Sequence, residues 1–145
     1  MRRLLALWAL LVVAAAGSGA ATAAGQAAPP AQVVRAWSHA LNLNRNAAAG
    51  ALFARNARVV QPGVDAVLTS RALATAFNAS LPCAGKIIAI RVTGSTALAT
   101  FVLGHRPQHK CDAPGGKAAA VFVVRNGKIV LWQQVPVPAN SGPTA

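Results

Sequence analysis

Four strand-like segments follow one another in the second half of this 145-residue chain, and they most constrain its fold. They read KIIAIRVTG, TALATFVLG, KAAAVFVVRNG and KIVLWQQVP. Gly94-Ser95 divides the first pair, and Asn126-Gly127 divides the last. Asn-Gly is the strongest short hairpin signal, because a type I′ turn needs positive φ at both central residues. The sequence therefore predicts an antiparallel meander of four strands after Pro82.

The turn at Gly94-Ser95 sets the register that we predict for the first hairpin. With Thr93 opposite Thr96, uninterrupted pairing places Ile88 opposite Phe101. Side chains alternate between the two faces of a strand, so this register also decides which residues share a face.

The second hairpin is apolar on both faces. With Arg125 opposite Lys128 across the turn, Val121 is predicted to lie opposite Trp132. One predicted face carries Val121, Val123, Val130 and Trp132, and the other carries Phe122, Val124, Ile129 and Leu131. A strand with one face in water normally alternates apolar with polar residues. Since helices can cover only one side of a single sheet, we expect the other side to pack against a second copy of the chain, or against the flanking termini.

Two helices are predicted at the start of the folded part. In AQVVRAWSHALNLNR the apolar residues recur at helical spacing and form one face, and the preceding Pro29-Pro30 suits a first helical turn. A second short helix, AAAGALFAR, is predicted with Asn46 as its cap and with Leu52 and Phe53 facing inward.

A strand and a third helix complete the predicted elements. ARVVQPG is a short strand that Pro62-Gly63 stops, and VDAVLTS is a loop or a short strand. RALATAFNASL is a helix capped by Thr69 or Ser70 and ended by Pro82. The predicted fold class is therefore α+β, with N-terminal helices against one face of a curved antiparallel sheet.

The first 24 residues are predicted to be a secretory signal peptide. Arg2-Arg3 precede an apolar run from Leu4 to Ala16, and Ala21-Thr22-Ala23 fits a small-x-small cleavage site. The apolar run of about 13 residues is shorter than the ~20 that a membrane span needs. The alternative is an uncleaved segment that anchors the protein to the membrane. We therefore expect a protein that is secreted or held in the cell envelope or periplasm.

The remaining chain divides into three predicted parts. Residues 25–31 are a flexible lead-in, residues 32–137 form one domain, and residues 138–145 are a disordered tail.

The mature chain is strongly basic. Without Arg2 and Arg3, twelve Lys and Arg residues oppose only Asp65 and Asp112, which gives a net charge of +10. The basic residues are scattered singly, with no run and no array of aromatic residues for base stacking. We therefore predict no nucleic-acid partner, and a basic surface that keeps the protein soluble or attracts anionic envelope surfaces and acidic ligands.

The only two cysteines, Cys83 and Cys111, admit three interpretations. A pair in an exported chain favours a disulfide, and the first hairpin's register, which puts Cys83 opposite Arg106, lets the return loop bring them together. A metal site could use both cysteines with His105 and His109, but the spacing matches no zinc motif. A cysteine nucleophile would leave its partner unused and its thiol open to oxidation. The sequence favours the disulfide and predicts neither a metal nor a cofactor.

Three segments give the chain a resemblance to a known superfamily. They are RAWSHALNLNRNAAAGALFARNARVVQPG, TSRALATAF with its Ser70-Arg71-Ala72-Leu73 start, and VVRNGKIVLWQQVP. Their order and motifs resemble the nuclear-transport-factor-2-like superfamily, and most closely its SnoaL-like branch. The resemblance covers essentially the whole mature chain. It implies a cone of curved sheet that helices close at one end, around an internal pocket, and it makes a sheet-face homodimer a reasonable expectation.

The resemblance also implies where a ligand would bind. The residues expected in the pocket are Trp37, Phe53, Phe77, Ile90 and Phe101. Enzymes of the superfamily use an Asp, or Tyr with Asp, in this pocket. The chain has no Tyr, and neither of its two Asp residues matches the pocket acid.

Our leading hypothesis is therefore an exported, non-enzymatic domain that binds a small apolar ligand or a protein partner. The first alternative is a SnoaL-like isomerase, cyclase or hydrolase that uses His39 or Asp65 as its base. The second is an anchored accessory protein of envelope assembly or transport.

Overall fold

The computed structural model describes residues 25–139, which form three helices and one six-stranded sheet. The elements in chain order are α1 (Pro30–Asn42), α2 (Asn46–Gly50), β1 (Phe53–Gln61), β2 (Val64–Leu68), α3 (Arg71–Ser80), β3 (Ala84–Thr93), β4 (Thr96–Gly104), β5 (Lys117–Arg125) and β6 (Lys128–Val135). The strand order is β2-β1-β6-β5-β4-β3. Every neighbouring pair is antiparallel except β1 and β6, which are parallel. The predicted α+β class and the helices on one face are confirmed.

The second helix is shorter than predicted, and the first strand is longer. The helix ends at Gly50, and Phe53, predicted to be helical, begins β1. The reason is tertiary pairing, since the backbone N–H of Ile129 donates to the carbonyl of Leu52 at 2.9 Å and Phe53 pairs with Ile129. A strand partner outweighs the local helical preference of an alanine-rich segment.

The first helix begins at Pro30, inside the predicted flexible lead-in of residues 25–31. Ala28, just before it, is partly buried and packs against the core. The third helix is capped as predicted, because the Ser70 hydroxyl accepts a hydrogen bond from the backbone N–H of Leu73 at 3.2 Å. Residues 25–139 contain no helix long and apolar enough to cross a membrane. The predicted signal peptide and most of the predicted tail lie outside the described residues.

A bulge changes the predicted register of the first hairpin. Thr93 lies opposite Thr96 as predicted, but the pairing shifts at Ile88, so that Ile87 lies opposite Phe101. The predicted pairing of Ile88 with Phe101 is therefore wrong. One extra residue on one strand bends it and increases its twist, which suits an edge strand of a curved sheet.

A second shift changes the faces of the last hairpin. Arg125 pairs with Lys128, and both Asn126 (φ 49°) and Gly127 (φ 71°) have the positive φ of the predicted turn. The register then slips, so that Phe122, and not Val121, lies opposite Trp132. The slip places four residues of the two predicted faces together on the concave side: Phe122, Val124, Ile129 and Trp132, all buried. The convex side keeps the half-buried residues Val121, Val123 and Leu131.

The six Phe and Trp residues of the described chain form one connected aromatic cluster. Trp37 of α1 packs against Phe122 at 5.1 Å, Phe101 at 6.2 Å and Trp132 at 6.3 Å between ring centroids. Trp132 contacts Phe77 at 5.2 Å, and Phe77 contacts Phe53 at 5.9 Å. Four of these five ring pairs have the edge-to-face geometry that aromatic quadrupoles favour.

Buried polar contacts hold α1 in place above the sheet. The indole N–H of Trp37 donates to Oδ1 of Asn78 at 2.7 Å, and Nδ2 of Asn78 donates to the carbonyl of Ala74 at 2.7 Å. The next residue of α1, Ser38, donates from its hydroxyl to the carbonyl of Gly85 at 2.9 Å. A Cβ at Gly85 would lie 2.9 Å from the Phe101 ring, so glycine lets the first residues of β3 pass beneath that side chain.

Arg106 joins three separate parts of the fold. It is 3% exposed and lies in the β4–β5 connection. Its Nη1 donates to the carbonyls of Asn78 (2.9 Å) and Leu81 (2.8 Å), at the end of α3. Its Nη2 donates to the Oδ1 atoms of Asn44 and Asn46, in and after the α1–α2 turn. Burial lowers the pKa of Arg106 from its ordinary value, although a guanidinium stays charged in proteins.

We predict that Arg106→Met will destabilise the fold strongly. The substitution keeps an unbranched apolar stem but removes all four hydrogen bonds of the guanidinium, and hydrogen bonds to charged groups contribute about 1.5–3 kcal/mol each. Of the four acceptors, only Oδ1 of Asn44 keeps another donor among the described residues, Nδ2 of Asn46. We expect a loss of about 3 kcal/mol or more in the free energy of unfolding, measured by urea denaturation. The exposed Lys110→Met is the matched control and should lose less than about 0.5 kcal/mol. Equal midpoints for the two variants would contradict the role assigned to Arg106.

Candidate functional site

A cavity of about 260 Å³ lies between α1 and the concave face of the sheet. Its lining residues come from α1, from five of the six strands and from the loops on either side of β3 and β4: Trp37, Ser38, Leu41, Gln61, Leu81, Pro82, Cys83, Ala84, Gly85, Phe101, Leu103, Asp112, Ala118, Ala119, Ala120, Trp132 and Gln134. The lining is mostly apolar, as is usual for sites that take small organic ligands.

The wall of this cavity combines aromatic rings with small side chains. Trp37, Phe101 and Trp132 supply the rings, and the alanines of β5, from Ala118 to Ala120, leave the space that the rings do not fill. Two of the predicted pocket residues, Trp37 and Phe101, are thus on the wall. Phe77 and Phe53 lie in the core behind it, and Ile90 is half-buried against the core further along β3. Whether any of these residues contacts a ligand stays a prediction.

Trp132, one of the lining residues, carries an unsatisfied polar atom. The residue is 5% exposed, and its indole Nε1 is buried without a hydrogen-bond partner among the described residues. Leaving such a donor unpaired costs about 1–3 kcal/mol. The indole of Trp37, by contrast, is paired with Asn78. The two tryptophans of the cavity therefore differ in whether their donor is already used.

The other polar groups lie around the aromatic wall. Ser38 is committed to the carbonyl of Gly85, whereas Gln61 and Gln134 extend the concave faces of β1 and β6 beyond Trp132. Asp112 is the one ionisable group on the lining, because the two cysteines nearby are bonded to each other. Its Oδ1 lies 3.3 Å from Sγ of Cys83.

The disulfide lies at the rim of the cavity. Cys83 and Cys111 are joined with a Cα–Cα distance of 4.4 Å, as predicted. The predicted pairing of Cys83 with Arg106 is wrong, since the bulge in β3 places Ala84 opposite Gly104. The loop is held further by the backbone N–H of Cys111, which donates to Nδ1 of His105 at 3.0 Å. Because the sulfurs are bonded to each other, neither is available as a metal ligand or a nucleophile.

The two candidate bases of the enzyme hypothesis lie away from this cavity. His39 is exposed on α1, on the side opposite to the buried residues. Asp65 lies on β2, where it accepts hydrogen bonds from Nε (2.8 Å) and Nη2 of Arg58 in an exposed ion pair. The hydrogen bond from Arg58 lowers the pKa of Asp65, which makes this carboxylate a weaker proton acceptor.

A second cavity of about 310 Å³ lies beside the start of α3. Phe53 forms part of its wall together with Gly50, Ala54, Arg55, Thr69, Ser70, Arg71 and Ala74. The Ser70 hydroxyl is already used as the helix cap. This cavity brings two exposed arginines together, but no aromatic wall like that of the first.

Comparison with solved structures shows the fold of this chain. A nuclear-transport-factor-2-like protein of unknown function from Cytophaga hutchinsonii superposes with a TM-score of 0.60 at 13% identity, over 73% of this chain and 88% of that one. A protein with a ketosteroid-isomerase-like fold from Catenulispora acidiphila, solved with trimethylamine, gives 0.61 at 20% identity over 75% and 87%. A proposed polyketide cyclase from Sinorhizobium meliloti gives 0.58 at 19% identity over 72% and 94%.

The described residues therefore have the nuclear-transport-factor-2-like fold, as the sequence motifs predicted. No sequence-family profile matches the chain, and no curated protein matches it in sequence. At sequence identities of 13–20%, the similarity to these structures establishes the fold and not the activity.

Replacing both cysteines by serine should lower the free energy of unfolding by about 2–4 kcal/mol, because the bridge closes a long loop in the unfolded chain. Urea denaturation measures the loss, and adding a reductant to the wild type should reproduce most of it. Peptide mapping without reductant should recover Cys83 linked to Cys111. Quantitative labelling of both thiols in the native, unreduced protein would refute the bridge.

Proposed function

We propose that this protein binds a small, largely apolar ligand in the cavity between α1 and the sheet, without chemistry on it, after export from the cytoplasm. The observation that carries the proposal is the composition of the wall, which combines three aromatic rings with alanines and few polar groups. Such a wall gains free energy from apolar contact, at about 25 cal/mol per Å² of apolar surface removed from water.

The size of the cavity sets the size of the ligand. An apolar protein cavity of about 150 Å³ holds one benzene molecule. A cavity of about 260 Å³ therefore suits a molecule somewhat larger than one ring, such as two fused rings or a branched hydrocarbon of similar bulk.

The arrangement of ionisable groups supports binding over catalysis. General acid–base chemistry needs a titratable group within hydrogen-bond reach of the reacting atom. His39 is exposed on α1 and Asp65 is paired with Arg58, and neither lines the cavity. The enzyme alternative now depends on Asp112, the one carboxylate on the wall, since an isomerase or a cyclase could use it as a base. Turnover that Asp112→Asn abolished would favour that alternative.

Export is supported by two observations of different kinds. The leader has the layout of a secretory signal peptide, and the disulfide is of a type that persists in oxidising compartments. In the alternative of an anchored accessory protein, the N-terminal segment is not cleaved and holds the protein at the membrane. An intact-mass measurement on the protein from its native host would separate the two.

We predict that Ala118→Phe will strongly weaken binding of tetralin, a fused-ring hydrocarbon that serves as the probe. Ala118 faces the cavity from β5, so the new ring occupies the ligand's space. We expect the Kd measured by titration calorimetry to rise at least about tenfold, which corresponds to about 1.4 kcal/mol. Ala72→Phe, on the exposed side of α3, is the matched control and should bind as the wild type does. Wild-type affinity in Ala118→Phe, or no binding by the wild type, would refute the proposal.

We also propose that the convex face of the sheet mediates homodimerisation. Half-buried Leu98, Val121, Val123 and Leu131 lie on neighbouring strands of this face, opposite to the helices. Lys117 and Arg125, at the two ends of β5, flank this apolar centre on the same face. Two copies would bring these charges together, so salt should strengthen the dimer by screening their repulsion.

Sedimentation equilibrium at micromolar concentration should give a dimer whose dissociation constant falls as salt rises. Val123→Lys should produce a monomer, because it places a charge in the centre of the apolar surface. Val67→Lys, on the exposed edge strand β2, is the control and should leave the mass unchanged. A monomeric wild type at high salt would argue against the dimer.

A further inference from the structure

We propose that the ligand carries a protonated amine on its apolar body and that the carboxylate of Asp112 pairs with this amine. The inference rests on the proposed ligand-binding function and adds the chemical class of the ligand. A primary or secondary aliphatic amine on a compact hydrocarbon body meets the requirement. Such an amine is a cation near neutral pH, because its pKa is close to that of lysine, about 10.4.

The first step is the charge of the cavity wall. Twelve Lys and Arg residues and three His follow the leader, against only two Asp. None of these basic side chains lines the cavity, whereas Asp112, one of the two acids, does. The wall is therefore opposite in sign to the rest of the chain. An anionic ligand would meet a like charge there and find no cation on the lining to offset its desolvation.

The second step is the state of the carboxylate. Asp112 is exposed and belongs to the lining, so a ligand in the cavity can reach it. Within residues 25–139 it forms no ion pair, whereas the other acid, Asp65, is paired with Arg58. Its Oδ1 lies 3.3 Å from Sγ of Cys83, but that sulfur is bonded to Cys111 and has no proton to donate. The carboxylate is therefore available to accept hydrogen bonds from an ammonium group.

The third step is the distance between the carboxylate and the aromatic wall. The disulfide holds Asp112 beside Cys83, and Cys83 precedes Gly85 by two residues, a separation of at most about 7 Å between Cα atoms. Gly85 lies against the Phe101 ring, since a Cβ at this glycine would be 2.9 Å from that ring. A molecule of the size of two fused rings can therefore pack against Phe101 and bring an ammonium group to Asp112.

Three ligands of one shape isolate the charge. Tetralin, 2-aminotetralin and tetralin-2-carboxylate share a fused-ring body and are respectively neutral, cationic and anionic near neutral pH. Each is titrated by calorimetry against the wild type, Asp112→Asn, Asp112→Glu and Asp65→Asn. Asp112→Asn removes the charge and keeps the size of the side chain. Asp65→Asn is the matched control, because it changes the net charge of the protein equally at a residue that does not line the cavity.

We expect Asp112→Asn to weaken binding of 2-aminotetralin by about 2- to 5-fold relative to any change for tetralin, the effect of one exposed ion pair. Binding of tetralin-2-carboxylate should change in the opposite direction. Asp112→Glu should keep most of the preference for the amine, and Asp65→Asn should leave it unchanged. Added salt should reduce the preference of the wild type, because it screens an exposed pair, and should have little effect on that of Asp112→Asn.

The outcomes separate the inference from the proposed function. Wild-type affinity of Asp112→Asn for tetralin shows that this variant keeps the cavity, so a loss of amine preference there supports the inference. If Asp112→Asn leaves the ratio of amine to tetralin affinity unchanged, or if Asp65→Asn lowers it equally, the amine inference is wrong, although apolar binding stands. If the wild type binds none of the three ligands, the proposed function fails with it.

Discussion

The hydrogen bonds of the Arg106 guanidinium hold the helices against the β4–β5 connection, and the position of the helices over the sheet depends on them. The guanidinium donates to the carbonyls of Asn78 and Leu81 at the end of α3 and to the side chains of Asn44 and Asn46 at the α1–α2 turn. These contacts form one buried hydrogen-bond network, and none of the acceptors is a carboxylate. The four hydrogen bonds of Nη1 and Nη2 offset the cost of burying this charge, although Nε has no partner among the described residues, and they tie each of these segments to the β4–β5 connection. The helices are thereby fixed over the sheet at a set distance, and the space left beneath α1 is the cavity.

The wall of the cavity shares its side chains with the core of the fold, so the proposed ligand binding would use residues that also stabilise the structure. Trp37 packs against three other rings and is hydrogen-bonded to Asn78, so its role in the fold is complete. Trp132 belongs to the same aromatic cluster but keeps an unpaired donor. The proposed site uses a residue that the core needs in any case.

Local signals predicted much of the fold, and tertiary effects decided the rest. The turn at Asn126-Gly127 was readable because its backbone conformation needs those residue types. The register shifts at Ile88 and Val130 could not be predicted from the sequence, because both residues are ordinary strand residues. Bulges of this kind accommodate the curvature of the whole sheet, which no local pattern encodes. Of the cavity wall, Trp37 was predictable from its place on an apolar helix face. Asp112 was not, because a loop clipped by the disulfide brings it there from outside any periodic element.

The parallel pairing of β1 with β6 has a consequence for how the chain can be made. The first strand to be synthesised lies between β2 and the last one, so the centre of the sheet is absent until residue 135 is available. Before then, β1 and β2 form only an isolated ribbon, which is at best marginally stable in water. Contacts between such distant segments close late, because the loop entropy must be overcome first. A chain whose central strand comes last stays open throughout its synthesis, and that is the state in which a polypeptide can be threaded through a membrane.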